Sequence, residues 1–190
     1  MNKILIIIPA RFGSKRLKRK NILPIRNLPM IIFVAKEALR SKFKPNVYVT
    51  TESQTIINIC KKHCVNYIKR PNKLSNDGVE KQEAIVHAYN KLKRKIMPNI
   101  IVSLQPNSPE FKSTDLDKAI KFFKKIFPSK KIKEVVSINK NGVMNGAFRI
   151  MMPKGVIKKT LSTNVGVFTT NYTDIHYHKE YLIVKKKLEK

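Results

Sequence analysis

At 190 residues and 42% hydrophobic side chains, the chain is long enough for one domain with a full core and too apolar to be disordered. Forty basic residues against 12 acidic ones give a formal net charge of +28, and only 8 of the 40 are arginine, the remaining 32 being lysines spread over the whole length. That distribution excludes a single basic tail and reads mostly as a compositional drift toward lysine, although it still implies non-specific affinity for polyanions at low salt.

The chain opens with an unbroken apolar run, Ile4 to Ile8, stopped by Pro9. A run of this kind is a buried strand. The loop after it, to Asn21, holds one glycine, Gly13, and a burst of cations: Arg11, Lys15, Arg16, Lys18, Arg19 and Lys20. A buried strand that delivers a cationic loop to a sheet edge is a way to hold phosphates. Glycine lets backbone approach an anion, loop N–H groups form anion-binding concavities, and Arg and Lys add charge and directed donors. Neither GxxxxGK[ST] nor GxGxxG is present, so the loop is neither a Walker A loop nor a dinucleotide fingerprint. The alternative is a solvated basic loop.

Further along, Pro29 to Leu39 predicts a helix, Asn46–Thr50 a second strand, and Ser53–Cys64 a helix with Ser53 as its N-cap. Asn66–Lys69 predicts a short strand ended by Arg70-Pro71. Lys81–Leu92 carries Ala84, Ile85, Ala88 and Leu92 at helical spacing. Ile100–Leu104 is another apolar strand. A helix capped at Ser113 or Thr114 runs to about Phe127, with Asp115 and Asp117 as first-turn charges. Val135–Ile138, Ala147–Met152 and Val165–Thr169 read as strands, and Lys179–Leu188 as the last helix.

Strand–helix alternation predicts a single α/β domain over residues 1–190, a three-layer α/β/α Rossmann-like arrangement with a mostly parallel sheet. Ligands of such sheets sit outside the carboxyl ends of the strands, which would gather loops 9–21, 50–53 and 105–111. Cys60 and Cys64, four apart with His63 between them, lack a further ligand at zinc spacing and read as a reduced, cytoplasmic pair. No 18-residue apolar run exists, so no membrane span is expected, and residues 1–10 read as a first strand rather than a signal peptide. His63 and His87 read as ordinary helix-surface or boundary residues.

The segment IPARFGSKRLKRKN resembles the N-terminal signature of the acylneuraminate cytidylyltransferase family. Four more stretches are similar to family segments in the same order: Val47 to Glu52; Arg70-Pro71 with Leu74-Ser75-Asn76-Asp77; Leu104 to Pro109, similar to LQPTSP; and Asn145-Gly146-Ala147-Phe148. The resemblance implies transfer of CMP from CTP to a nonulosonic, sialic-acid-like sugar acid with release of pyrophosphate, assisted by Mg²⁺, for surface-glycan biosynthesis, whereas the imidazole of His176 would suit Zn²⁺ or Mn²⁺ better. Its implied partners are CTP, the acidic sugar and a second copy in a homodimer. By position, Arg11, Ser14, Lys15 and Lys20 would hold the triphosphate, with Arg11, Lys15 and Lys20 the catalytic set and Gly13 in the same loop. Asn21, Arg70 and Asp77 would meet the nucleotide, Gln105 and Ser108 the sugar, and Asp174 with His176 the metal. Asp77 is equally readable as a turn cap before Gly78. His176 stands where the family has a second carboxylate, and Glu180 follows. The family's sugar-binding and dimerisation segment is largely missing here, since only Asn139 to Met144 intervene.

Two other readings remain open on the residues: a degenerate CTP-binding homologue, and a basic nucleic-acid-binding domain, although the aromatics Phe12, Phe33, Tyr48 and Phe122 are scattered rather than interleaved with the cations. Any RNA affinity arising from net charge alone is expected to collapse between about 50 mM and 200 mM salt with no preference among sequences, which filter binding at the two salt concentrations checks.

Overall fold

A computed structural model describes residues 3–76, 78–130, 132–158 and 161–189. Its centre is strand β1 (Ile4–Pro9), whose residues Ile4 to Ile8 are each at most 1% exposed. Such full burial on both faces is what a continuous apolar run in a parallel sheet requires. β1 pairs in parallel with β4 (Asn46–Thr51) on one side and with β6 (Ile100–Leu104) on the other. Between β1 and β4 lie a two-residue-stranded hairpin, β2 (Pro24–Ile25) with β3 (Leu28–Pro29), and helix α1 (Met30–Leu39). Beyond β4 come helix α2 (Gln54–Lys62), strand β5 (Asn66–Lys69) and helix α3 (Lys81–Ile96). After β6 follow α4 (Ser113–Lys130), β7 (Glu134–Ile138), β8 (Met144–Met151), the single turn α5 (Pro153–Val156), β9 (Val165–Thr169) and α6 (His178–Glu189).

The main sheet has seven strands in the order β5-β4-β1-β6-β8-β7-β9, and only β8 runs against the rest. One face packs against α1, α2 and α4 through Ile31, Ala35, Ile56, Cys60, Leu116 and Phe123. The other packs against α3 and α5 through Ile85, Ala88, Leu92, Ile96 and Val156. A third small cluster joins α6 to the hairpin through Ile25, Met30, Ile175, Tyr181 and Val184. The predicted three-layer architecture is therefore the observed one. Strand order reverses at β1, between β4 and β6, and a ligand crevice opens at such a switch point.

Local chemistry explains most element ends. Ser53 caps α2, its Oγ accepting the Ile56 N–H at 3.4 Å. α3 runs four residues past its predicted end and stops at Met97, in the left-handed region at φ 49°. The hairpin turns through Arg26 (φ 46°) and Asn27 (φ 60°), two positive-φ residues in a row as a type I′ turn needs. Asp115 stands in the first turn of α4 as expected, and both it and Asp117 also serve as staples. Asp117 accepts Ser41 Oγ at 2.6 Å and the Lys42 N–H at 3.1 Å, and Asp115 accepts Tyr172 OH at 2.5 Å.

Under α3, Glu134 is 2% exposed and accepts bonds from Arg149 Nε and the Ser162 N–H. Arg149 Nη1 also donates to Gln82 Oε1 at 3.3 Å, and Gln82 Nε2 donates to Val156 O at 2.5 Å. This network pins the first turn of α3 to β7 and β8. No helix among the described residues is long and apolar enough to cross a membrane.

Two outcomes follow from this packing. Arg149→Met strands a buried carboxylate and is expected to cost about 3–5 kcal/mol in urea unfolding. Cys60 is buried, with its thiol pushed up to about 11, whereas Cys64 is exposed. One thiol equivalent should therefore react with a disulfide reagent at pH 8 in the native protein, and two after denaturation.

Candidate active site

The first loop is built on a single carboxylate. At the end of β1 the Ala10 N–H donates to Thr50 O at 3.0 Å. Two residues on, the Phe12 N–H donates to Glu52 Oε1 at 2.7 Å. The other oxygen, Glu52 Oε2, accepts Arg70 Nη2 at 2.9 Å and Ser75 Oγ at 2.7 Å. Arg70 also donates through Nη1 to Thr50 O at 2.6 Å and through Nε to Ser75 Oγ at 2.8 Å. Burial holds the Arg70 guanidinium below its usual pKa, opposed by Glu52 and reinforced by Arg11. Together with Glu52, its three-way fork ties three loops at the carboxyl edge into one unit, a task for which lysine lacks the geometry. Asn21, 7% exposed, donates from Nδ2 to Arg11 O at 2.8 Å and closes the far end of the loop on itself.

The opposite wall comes from the segment after β6 and from the approach to α6. Gln105 N donates to Ala147 O at 2.9 Å, and its Nε2 to Gly146 O at 2.5 Å. Gly146 lies at φ +63°, and a Cβ there would collide with Gln105 Nε2. The positive φ favours glycine at that position, and any larger residue would displace the Gln105 amide. Ser108 is fully buried and donates to Asp174 Oδ1. The Ile175 N–H donates to Asn107 O at 2.8 Å, and Glu110 accepts the Thr173 N–H at 2.7 Å. Glu180 accepts the N–H groups of His176 and Tyr177, which fixes the entry into α6.

The two walls meet at Asp174. Lys20 Nζ crosses from the first loop and donates to Ile175 O at 2.8 Å. Burial lowers the Lys20 ammonium pKa, helped by Arg16 and Arg11 and opposed by Asp174 and Glu180. Burial raises the Asp174 carboxyl pKa, opposed by the Ser108 hydrogen bond and by His176, Lys81 and Lys20. Lys81, the first residue of α3, has its ammonium pKa lowered by burial, with Asp174 opposing and Arg149 adding.

Between the walls lies a cleft of about 460 Å³. Six cationic side chains line it: Arg11, Lys15, Arg16, Lys20, Arg70 and Lys81. Ser14, Asn21, Gln105 and His176 are there too, and no carboxylate appears among the described lining residues. Gly13 lies outside this cleft, in a shallower hollow shared with Arg11, Ser14, Lys15, Ser75 and Asn76, and a Cβ there would meet open space. A cavity walled by six cations and several amide and hydroxyl groups suits a polyphosphate.

Most of the site residues expected from sequence are brought together here. Ser108 reaches the cleft only through the carboxylate it holds. Arg70 spends its donors on the scaffold. Asp77 lies outside the described residues. His176 lines the cleft with Asp174 within electrostatic reach. Sequence reasoning missed Lys81 and the organising role of Glu52. A signal for Lys81 was present: a helix that follows a parallel strand starts at the carboxyl edge, so its first residue faces the crevice.

Comparison with known proteins agrees with this geometry. A family profile described as cytidylyltransferase matches residues 5–155. The chain is 33% identical over 142 residues to the N-acylneuraminate cytidylyltransferase of Escherichia coli O18:K1:H7, covering 73% of this chain and 32% of that one. It is 25% identical over 187 residues to the N-acylneuraminate cytidylyltransferase of Streptococcus agalactiae serotype III, covering 97% of this chain and 44% of the relative. The chain therefore spans less than half the length of these relatives. Among solved structures, a CMP:2-keto-3-deoxy-manno-octonic acid synthetase complexed with CTP superposes with a TM-score of 0.81 at 15% identity, over 99% of each chain, and shares the fold. With the profile spanning most of its length and a cationic cleft at the switch point of its sheet, the chain belongs to the cytidylyltransferase family.

Proposed function

We propose that the protein transfers CMP from CTP to an acidic sugar of the nonulosonic type, releasing pyrophosphate, in the cytoplasm. The observation that carries this reading is the set of four first-loop cations, Arg11, Lys15, Arg16 and Lys20, lining a cleft with no carboxylate among its described lining residues, in a chain of the cytidylyltransferase family. In the reaction, a hydroxyl oxygen of the sugar bonds to the α-phosphorus of CTP. The bond from that phosphorus to the bridging oxygen breaks, pyrophosphate leaves, and the hydroxyl proton passes to solvent. Positioning and charge neutralisation are the protein's main contributions to such a step.

Arg11, Lys15, Arg16 and Lys20 all stand on one loop, and they are assigned to the triphosphate. Ser14 and the backbone around Gly13 add donors. Asn21 and Arg70 border the nucleotide while holding the loop's shape. Gln105 faces the sugar side, with its amide fixed by Gly146. Ser108 acts as a positioning residue for Asp174.

The residues fit a divalent cation in one respect. Asp174 is a carboxylate in reach of the cleft with one oxygen held by Ser108. One carboxylate together with triphosphate oxygens and water suits Mg²⁺. His176 offers a nitrogen donor, better matched to Mn²⁺ than to Mg²⁺. A cation held at Asp174 would supply further neutralisation of the phosphate chain.

The reading is tested by mixing the protein with CTP, Mg²⁺ and a panel of nonulosonic acids and measuring pyrophosphate. Release with at least one acid is expected. CTP binding without release would leave a nucleotide-binding protein, and absence of CTP binding would overturn the reading. Lys20→Met should weaken CTP binding about ten- to a hundredfold by calorimetry, in line with the ~1.5–3 kcal/mol of a hydrogen bond to a charged group.

A further inference from the structure

We propose that Lys81 receives the carboxylate of the acidic sugar and so selects for acids over neutral sugars. The inference rests on the function proposed above and assigns a residue within it.

Charge is divided unevenly across the cleft. The four cations of the first loop stand on one wall and suffice for the negative charges of a triphosphate. Lys81 enters from another element, at the start of α3, and lines the cleft with Gln105, Pro106 and Asn107. Its charged neighbours also differ from those of Lys20. Lys20 feels Arg16, Arg11, Glu180 and Asp174, whereas Lys81 feels Asp174 and Arg149. Asp174 is the one charged group the two lysines share. One carboxylate between two ammonium groups leaves a surplus positive charge. Lys20 has a further partner in Ile175 O, whereas the Lys81 ammonium group has no hydrogen bond to a described residue. The surplus therefore resides at Lys81. Arg149 cannot absorb an incoming anion in its place, because it is committed to the buried Glu134.

Lys81 is also accessible. It keeps exposed surface while lining the cleft, and protein crowded around its ammonium group reduces the solvation that an incoming anion must displace. The Glu134–Arg149–Gln82 network fixes the turn of α3 that carries it. Gln105 lines the same cleft.

The experiment uses the full chain saturated with CTP in the presence of EDTA, so that no turnover intervenes. N-acetylneuraminic acid, 3-deoxy-manno-octulosonic acid and other 2-keto sugar acids are titrated against it alongside their methyl esters, by calorimetry or ligand-observed NMR. The wild type should bind at least one acid more than about tenfold tighter than its ester, as expected when one partner of a desolvated charge pair is removed. Lys81→Met should lose that preference, Lys81→Arg should keep it, and CTP affinity should change less than about threefold in both, since each 1.4 kcal/mol is tenfold. Thermal melts confirm that both variants are folded. Preference surviving in Lys81→Met, CTP affinity falling as far as acid affinity, or no acid binding at all would each overturn the assignment. Pyrophosphate release is measured separately. Lys81-dependent acid binding without release would sustain the subsite while removing the transferase reading.

Discussion

Everything at the cleft depends on the carboxylate of Glu52. It takes the Phe12 N–H from the loop after β1, the guanidinium of Arg70 from the end of β5, and the hydroxyl of Ser75 from the turn beyond. Three chain segments far apart in sequence are thereby fixed relative to one another at the edge of the sheet. A buried ion pair contributes little net stability against an apolar substitute of the same shape, because desolvation offsets attraction. What it contributes here is geometry, because it joins the start of the first loop to the edges of β4 and β5, while Lys20 and Asn21 hold the loop's far end.

The arrangement also manages repulsion. Six cations around one small cleft destabilise one another before any ligand arrives, and the chain has only 12 acidic residues to offset 40 basic ones. Several of those acids stand just behind the wall. Glu52 backs Arg70, Asp174 lies between Lys20 and Lys81, and Glu180 acts on Lys20. Among the described lining residues an anion entering the cleft meets no carboxylate, while Glu52, Asp174 and Glu180 act on the cations from outside that lining. The lowered ammonium pKa values of Lys20 and Lys81 and the raised carboxyl pKa of Asp174 share burial as their leading cause. Burial disfavours the charged form of an ammonium group, and an anion beside it favours that form.

Much of this was readable from the residues, and the failures have physical causes. Strand β5 was legible to the residue because Arg70-Pro71 ends it, and the start of α2 because Ser53 caps it, although α2 stops at Lys62 rather than Cys64. The start of β8 was misplaced by three residues because Gly146, at φ +63°, interrupts the alternation that marks a strand. The hairpin at 24–29 was invisible because its turn uses Arg26-Asn27 rather than a glycine pair. Within the site, the first loop announced itself through its density of cations. Lys81 did not, since one lysine among 32 carries no signal until topology places it. The partners of Ser108 and Asp115 were not legible, for a related reason. Composition shows that a polar group is present, but its partner comes from elements 57 or more residues away.

The C-terminal segment shows how those distant partners act together. Residues 172–177 carry Asp174 and form no regular element, yet they are tied at Tyr172 to Asp115, at Thr173 to Glu110, at Asp174 to Ser108, at Ile175 to Asn107 and Lys20, and at His176 and Tyr177 to Glu180. Ile175, fully buried, adds an apolar peg beside Ile25 and Met30. Of all these ties, only the one from Lys20 reaches across the cleft. A phosphate that competes for the Lys20 ammonium group therefore competes with the bridge to the segment that carries Asp174. The remaining ties hold that segment to α4, to the loop after β6 and to α6, so losing the bridge would leave the carboxylate in place. The site can exchange one internal hydrogen bond for a ligand without dismantling the wall on which its second substrate must sit.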